Sequence, residues 1–213
     1  MMQAGAVNPF PCPSPLERVL LAELVRVAKV CYDRGWSFGT AGNFSLRGQD
    51  GLIWQSPSGL NKGDLNPAFF IPVDLATAQV VGPLKVVPSL EMPVHLGAYR
   101  SVPEALCVVH THPPNLVAAS RSGQDLLFSG DEMQKALGSG DHLQTLRLPV
   151  LTNVTPSEMS KMAENTGAAI VPGVPMVVLA AHGVYAWGRT PLEALAYIEA
   201  AEFLCQTYAP QKN

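Results

Sequence analysis

Between Leu16 and Cys31 the apolar positions fall at helical spacing, with Leu16, Leu20, Leu24, Val27 and Cys31 on one face and Gly35 placed to end the run. The segment opens on Ser14-Pro15-Leu16-Glu17, and the same device returns as Thr155-Pro156-Ser157-Glu158 and Thr190-Pro191-Leu192-Glu193. Each has an N-cap hydroxyl, a proline at the first helical position and a glutamate three residues after the cap. That is a capping box on a preorganised first turn. The last one starts a helix running from Pro191 towards Tyr208, and further helices are expected over residues 89–100 and 115–121. Short strand-like runs lie between them at 51–54, 68–73, 106–110 and 176–180. The last two are nearly all apolar, as strands covered on both faces must be. The pattern predicts an α/β fold: a single domain over residues 14–213 with a central β-sheet flanked by helices. A loose, proline-rich arm is expected over residues 1–13. No repeat or linker divides the chain, and strand order is not readable from the pattern.

With 213 residues, 47% hydrophobic and 15% charged, the chain has the make-up of a globular domain with a sizeable core. A formal net charge of -3 supplies no basic field, which argues against nucleic acid as a partner. A small anion needs only local donors, so it stays open as a ligand. No apolar run approaches the ~18 residues of a membrane span, and the first residues lack the basic and apolar regions of a signal peptide. The four cysteines, Cys12, Cys31, Cys107 and Cys205, are scattered without paired spacing. They read as reduced thiols, mostly in the core, so the expected compartment is the cytoplasm.

The strongest chemical signal is Val109-His110-Thr111-His112-Pro113, at the end of an apolar run. Residues two apart in a strand face the same way, so the two imidazoles project together and make half of a zinc site. An HxH pair also arises by chance from surface or core histidines. His182, in Ala180-Ala181-His182-Gly183, ends the other apolar run, ahead of a glycine expected to turn the chain. Three imidazoles from two strand ends, with one position left open, match a catalytic zinc. His95, inside a helix, and His142, in a Gly/Asp loop, read as structural or substrate-contacting groups.

Three donor-rich turns accompany the histidines: Gly39-Thr40-Ala41-Gly42-Asn43, the run from Ser56 to Gly63, and Val87-Pro88-Ser89 at a helix N-terminus. Each alone is most often an ordinary turn. Together they form a candidate phosphate cradle of Gly42, Asn43, Ser58, Gly59, Lys62 and Ser89. Two carboxylates are acid/base candidates. Glu91 lies in a first helical turn, where capping alone favours an acid. Glu132 lies in Asp131-Glu132-Met133-Gln134-Lys135, whose simplest role is a solvated helix face. Spacing does not choose between them.

In their order along the chain, these segments resemble the class II aldolase and adducin family. The matching pieces are Gly42-Asn43-Phe44-Ser45, the turn from Ser56 to Gly59, Pro88 to Glu91 followed by His110 to His112, and the run from His182 to Gly188. Within the family, Arg34-Gly35-Trp36-Ser37, Lys62-Gly63, Glu132-Met133-Gln134-Lys135-Ala136, His142 and Glu202-Phe203-Leu204 are most similar to its dehydratases of a small phosphorylated sugar. Ala181 stands where those often carry arginine. The resemblance implies one Zn2+ per subunit on His110, His112 and His182, acting on a carbonyl and its neighbouring hydroxyl. It implies Glu132 as the acid/base and Glu91 as a second acid/base or metal-shell group, the part its counterpart plays in the aldolases. It also implies a homotetramer with sites near subunit boundaries. A sugar-phosphate aldolase or epimerase is the alternative served by the same histidines. An adducin-like interaction module is favoured less, because such members tend to lose the histidines this chain keeps.

Overall fold

Ser14 caps α1 (Pro15–Asp33): its hydroxyl accepts from the Glu17 N–H at 3.3 Å, and the Glu17 carboxylate accepts from the Ser14 N–H at 2.5 Å. Glu17 also accepts from the Gln49 N–H and the Trp54 indole, so the capping acid ties the helix to a neighbouring hairpin. The Thr155 box opens a 3-10 turn (Pro156–Lys161) that leads into α4 (Met162–Ala169). The Thr190 box is half made. The Thr190 hydroxyl accepts from the Glu193 N–H at 3.1 Å, while the Glu193 carboxylate reaches back past the cap to the Arg189 N–H at 2.6 Å. It still starts α5 (Pro191–Thr207).

The computed structural model describes residues 11–82 and 88–208; residues 1–10 of the expected arm and Val87 of the third turn lie outside the described residues. Seven strands form one sheet in the order β3 (Ile71–Asp74), β2 (Leu52–Gln55), β1 (Asn43–Arg47), β4 (Cys107–Thr111), β9 (Gly183–Gly188), β8 (Met176–Leu179) and β7 (Val150–Leu151). Neighbours are antiparallel except β7 and β8. The two apolar runs are β4, at the centre, and β8. The strand between them, β9, was not read from the pattern.

Alternation along β4 sets the layers. Cys107 and Val109 join an apolar cluster with Leu24 and Val27 of α1 and Ile198 of α5; Val108 joins the opposite cluster with Leu96 of α2 (Met92–Ser101) and Met162 of α4. The sheet is therefore covered on both faces, which is why its central strands carry no solvent-facing polar positions. Parity places His110 on the α2 face with Val108.

α3 (Pro114–Ala119) follows the HxH strand and has no side-chain cap of its own. The buried Glu202 of α5 fills that place, accepting from the N–H groups of Asn115 at 3.0 Å and Leu116 at 2.9 Å. A carboxylate there favours the positive end of the helix and fixes how the chain leaves β4. A separate ribbon pairs β5 (Leu126–Phe128) with β6 (Leu146–Leu148), and residues 129–145 loop out between them. Cys31, Cys107 and Cys205 are free and buried, and Cys12 is free and exposed. Among the described residues, no helix is long and apolar enough to cross a membrane.

Candidate metal and anion site

The end of β4 is strapped down by the segment before β1. The Trp36 carbonyl accepts from the His112 N–H and from the Thr111 hydroxyl, each at 2.8 Å, and the Ser37 hydroxyl lies 3.0 Å from that of Thr111. Nδ1 of His110 lies 3.0 Å from the Val184 carbonyl of β9. A carbonyl only accepts, so Nδ1 carries the proton and Nε2 offers a lone pair. That Nε2 is buried without a hydrogen-bond partner. Such a group costs about 1–3 kcal/mol unless something takes its lone pair.

His182 rides on the turn between β8 and β9. Ala181 makes that turn, with φ +54 and its N–H donating to the Ser120 hydroxyl at 3.1 Å. The turn does not need Gly183, which already begins β9. Gly183 is required for room: a Cβ there would stand 2.6 Å from the Thr111 carbonyl oxygen and 2.8 Å from the His112 ring. The absence of that Cβ lets His182 approach the HxH pair. The ring centroids are 4.6 Å (His110–His112), 5.1 Å (His110–His182) and 5.3 Å (His112–His182) apart. Their ligand atoms all lie within 4.8 Å of one another. Burial holds His110 well below the usual imidazole range and lowers His112 too, with the neighbouring ring of His182 acting in the same direction. Neutral imidazole is the form that binds metal, so the donor set fits a divalent ion.

Glu91 is the N-cap of α2 but makes no capping bond. Its carboxylate turns to the histidines, with Oε1 2.9 Å from His182 Nε2 and Oε2 3.3 Å from His110 Nε2. The Asn43 side-chain N–H also donates to Oε2. Burial alone would raise the Glu91 pKa. The hydrogen bonds from His182 and Asn43 overcome it and hold the group below the usual carboxylate range. Tyr185, opposite His110 in the sheet register, stacks on its ring at 3.9 Å. The Tyr185 hydroxyl is buried without a partner, and burial together with the Glu91 charge keeps it protonated.

Gly42, Asn43, Ser58, Gly59, Lys62 and Ser89 all border a single cleft of about 280 Å³, which Glu91, His112 and His182 also line. Within it the residues differ in what they leave free. Gly42, at φ +81, has no room for a Cβ, which would sit 2.8 Å from the His110 carbonyl; this turn is packed onto the histidine strand. Asn43 spends its side chain on Glu91 and His95. The buried Lys62 ammonium donates to the Thr40 carbonyl at 2.9 Å and the Leu60 carbonyl at 2.7 Å, tying two turns together and keeping one N–H. Burial brings its pKa down to about 8. The Ser89 hydroxyl accepts from the Glu91 N–H at 3.2 Å, which leaves its own proton available.

Glu132 is elsewhere. It opens the 3-10 segment Glu132–Leu137 in the loop between β5 and β6, and it is not among the residues lining the cleft of its own chain. Its side chain is 70% exposed and pairs with Lys135 at 2.7 Å, with His142 Nδ1 at 3.5 Å. His95 is fully buried in α2, outside the lining of the cleft, with its ring nitrogens bonded to Ser45 and Asn43. Sequence reasoning gave no role to Tyr185, Ser45 or the Trp36–Ser37 strap, although each lies in a segment on which the family resemblance rests.

The sequence matches the family described as Class II Aldolase and Adducin N-terminal domain over residues 22–209, and the chain belongs to that family. It is 35% identical over 189 residues to a methylthioribulose-1-phosphate dehydratase of Sorangium cellulosum (strain So ce56), covering 86% of this chain and 88% of that one. A dehydratase of the same name from Enterobacter sp. (strain 638) is 35% identical over 193 residues, covering 88% and 93%. Among solved structures, the L-fuculose-1-phosphate aldolase of Thermus thermophilus is similar with a TM-score of 0.72 and 29% identity, over 89% of this chain and 94% of that one.

Proposed function

We propose that this chain is a zinc-dependent hydro-lyase that removes water from 5-methylthioribulose 1-phosphate, giving the 2,3-diketo-5-methylthiopentyl 1-phosphate of methionine salvage in the cytoplasm. The reading is carried by a cleft that sets two imidazoles of a three-histidine cluster against three donor turns, in a chain 35% identical over most of its length to dehydratases of that substrate. Zinc, when held by His110, His112 and His182, supplies Lewis acidity towards a carbonyl and its neighbouring hydroxyl. The amides of the Gly42 and Gly59 turns, the hydroxyls of Ser58 and Ser89 and the remaining N–H of Lys62 hold the phosphate. Glu91 stays an anion beside the histidines and orients the sugar hydroxyl nearest them or joins the metal shell.

Dehydration also needs a group that takes the proton from carbon 3 and returns one to the hydroxyl leaving carbon 4 as water; the enol then tautomerises to the diketone. We assign the proton transfer to Glu132, whose segment carries the resemblance to the family's dehydratases, reaching the cleft from a neighbouring copy in a homotetramer. Its exposure in the single chain supports this assignment. Turnover of 5-methylthioribulose 1-phosphate, followed by the diketone's absorbance, is expected to stop on chelation and return with zinc. A specific observation favours a second reading: Glu91, the carboxylate an aldolase of this family would use, is the one inside the cleft. Absence of diketone, with retro-aldol products from a substrate such as L-fuculose 1-phosphate, would establish that reading instead.

A further inference from the structure

Glu91 and His95 are four residues apart, which sets them on one side of the start of α2, and Asn43 of β1 bridges them. From there a line of buried polar side chains continues away from the cleft. Tyr99 Oη lies 2.8 Å from Ser45 Oγ, Ser45 Oγ lies 2.7 Å from His95 Nδ1, His95 Nε2 contacts Asn43 Oδ1, and Asn43 Nδ2 contacts Glu91 Oε2. His95 and Ser45 have no exposed surface, Tyr99 has 1% and Asn43 4%.

The direction of donation is fixed from the Glu91 end. An ionised carboxylate only accepts, so Asn43 presents its amide N–H to it and turns its carbonyl oxygen to His95. A carbonyl oxygen only accepts, so His95 carries its proton on Nε2. A neutral imidazole has a single ring proton, so Nδ1 accepts from the Ser45 hydroxyl, and the Ser45 oxygen accepts from Tyr99. Every donor points towards Glu91. The reverse tautomer would set the Asn43 carbonyl against the carboxylate, acceptor facing acceptor, at a buried position where an unmade bond is expensive.

We infer that His95 and Asn43 are positioning residues, held by the donor chain that begins at Tyr99, and that they fix the Glu91 carboxylate in the orientation it presents to the metal-binding histidines. The inference rests on the proposed role of Glu91 at the metal. The walls of the chain agree with it. Tyr185 stands edge-on to His95 at 5.7 Å, and the Arg47 guanidinium lies 4.9 Å over the Tyr99 ring, closing the far end. Burial brings the His95 pKa down to about 3, so the ring stays neutral and the chain keeps one direction.

Nitrogen-15 NMR of histidine-labelled full-length protein, with and without zinc, reads the tautomer directly: His95 is expected to be protonated on Nε2 and bare on Nδ1. In the assay, His95→Gln keeps a donor and an acceptor, His95→Leu removes both, and Ser45→Ala deletes one donor two steps from Glu91. We expect His95→Leu to lower kcat by about tenfold or more, with KM changed by less than about twofold. His95→Gln should restore most of the loss, and Ser45→Ala should fall between. If His95→Leu does not fold, the tautomer and Ser45→Ala still decide. A proton on Nδ1, or a lower Tm with unchanged kcat in Ser45→Ala and in any His95→Leu protein that folds, would overturn the inference. A wild-type protein with the expected tautomer but no turnover would count against the proposed function and leave the donor chain standing.

Discussion

The regions around Glu91 and Glu132 place the same side chain in opposite physical settings. Around Glu91, strand ends β1, β4 and β9 and the start of α2 converge, so each polar atom is held by groups anchored in the sheet. Around Glu132 there is a loop of residues 129–145 with a short 3-10 segment, capped by Asp131 and packed on α5 by its apolar side, with its acid turned to solvent. Metal and phosphate groups need preorganised support, and a rigid sheet end provides it. A group that completes a site across a subunit boundary must instead be exposed in the single chain. Under the proposed function the two regions are parts of one site, contributed by different copies.

The largest expected effects separate the two glutamates. Glu132→Gln should cost ~10²–10⁴ in turnover, the usual share of a general acid–base group, while zinc content by elemental analysis stays unchanged. Glu91→Gln should lower turnover and also release zinc on dialysis. If both variants kept zinc equally, the division of roles would be wrong. Next comes Gly183→Ala, whose Cβ would meet the Thr111 carbonyl at 2.6 Å. Overpacking of this kind should cost ~1–3 kcal/mol in a urea melt and weaken metal retention, because His182 sits on the turn that leads directly into Gly183. Ser58→Ala is narrower. It should raise KM for the phosphorylated substrate about tenfold with kcat nearly unchanged, and an equal fall in kcat would remove Ser58 from the phosphate site.

A separate effect is on metal-free stability against pH. Folding lowers the His95 pKa to about 3, below an unfolded value of ~6.5, so the unfolded chain binds a proton that the native one does not. The contribution is complete above the unfolded value and is lost as pH falls towards the folded one, with a slope of at most roughly 1.4 kcal/mol per pH unit. Urea melts of wild type and His95→Gln across that window should differ by this slope; parallel curves would mean that His95 is not buried neutral.

Periodicity and capping chemistry made much of this legible in the sequence. The apolar runs ending in His110 and His182 are β4 and β8, and the residues after Ser14, Thr155 and Thr190 do begin helical segments. Strand β9 escaped because Gly183 to Gly188 is bounded by glycines with two aromatics about an alanine inside, neither a clean alternation nor a continuous aliphatic run. The turn at Ala181 escaped because nothing in an alanine's type announces a positive φ. The commitments of Asn43 and Lys62 depend on partners distant in the chain, His95 for the one and Thr40 for the other, and no local pattern encodes them. Glu132 could be named from its segment, but which way a loop turns its acid is decided by packing on α5.

Mixed oligomers test whether the two parts come from different chains. His112→Ala lacks a metal ligand and Glu132→Gln lacks the acid/base, so each alone should be inactive. Refolded or co-expressed together, they should regain roughly a quarter of wild-type turnover of 5-methylthioribulose 1-phosphate by random assortment of a two-chain site. That recovery is the result expected if Glu132 acts across the subunit boundary. Mixed oligomers that form yet stay inactive would contradict it and place the acid/base within a single chain.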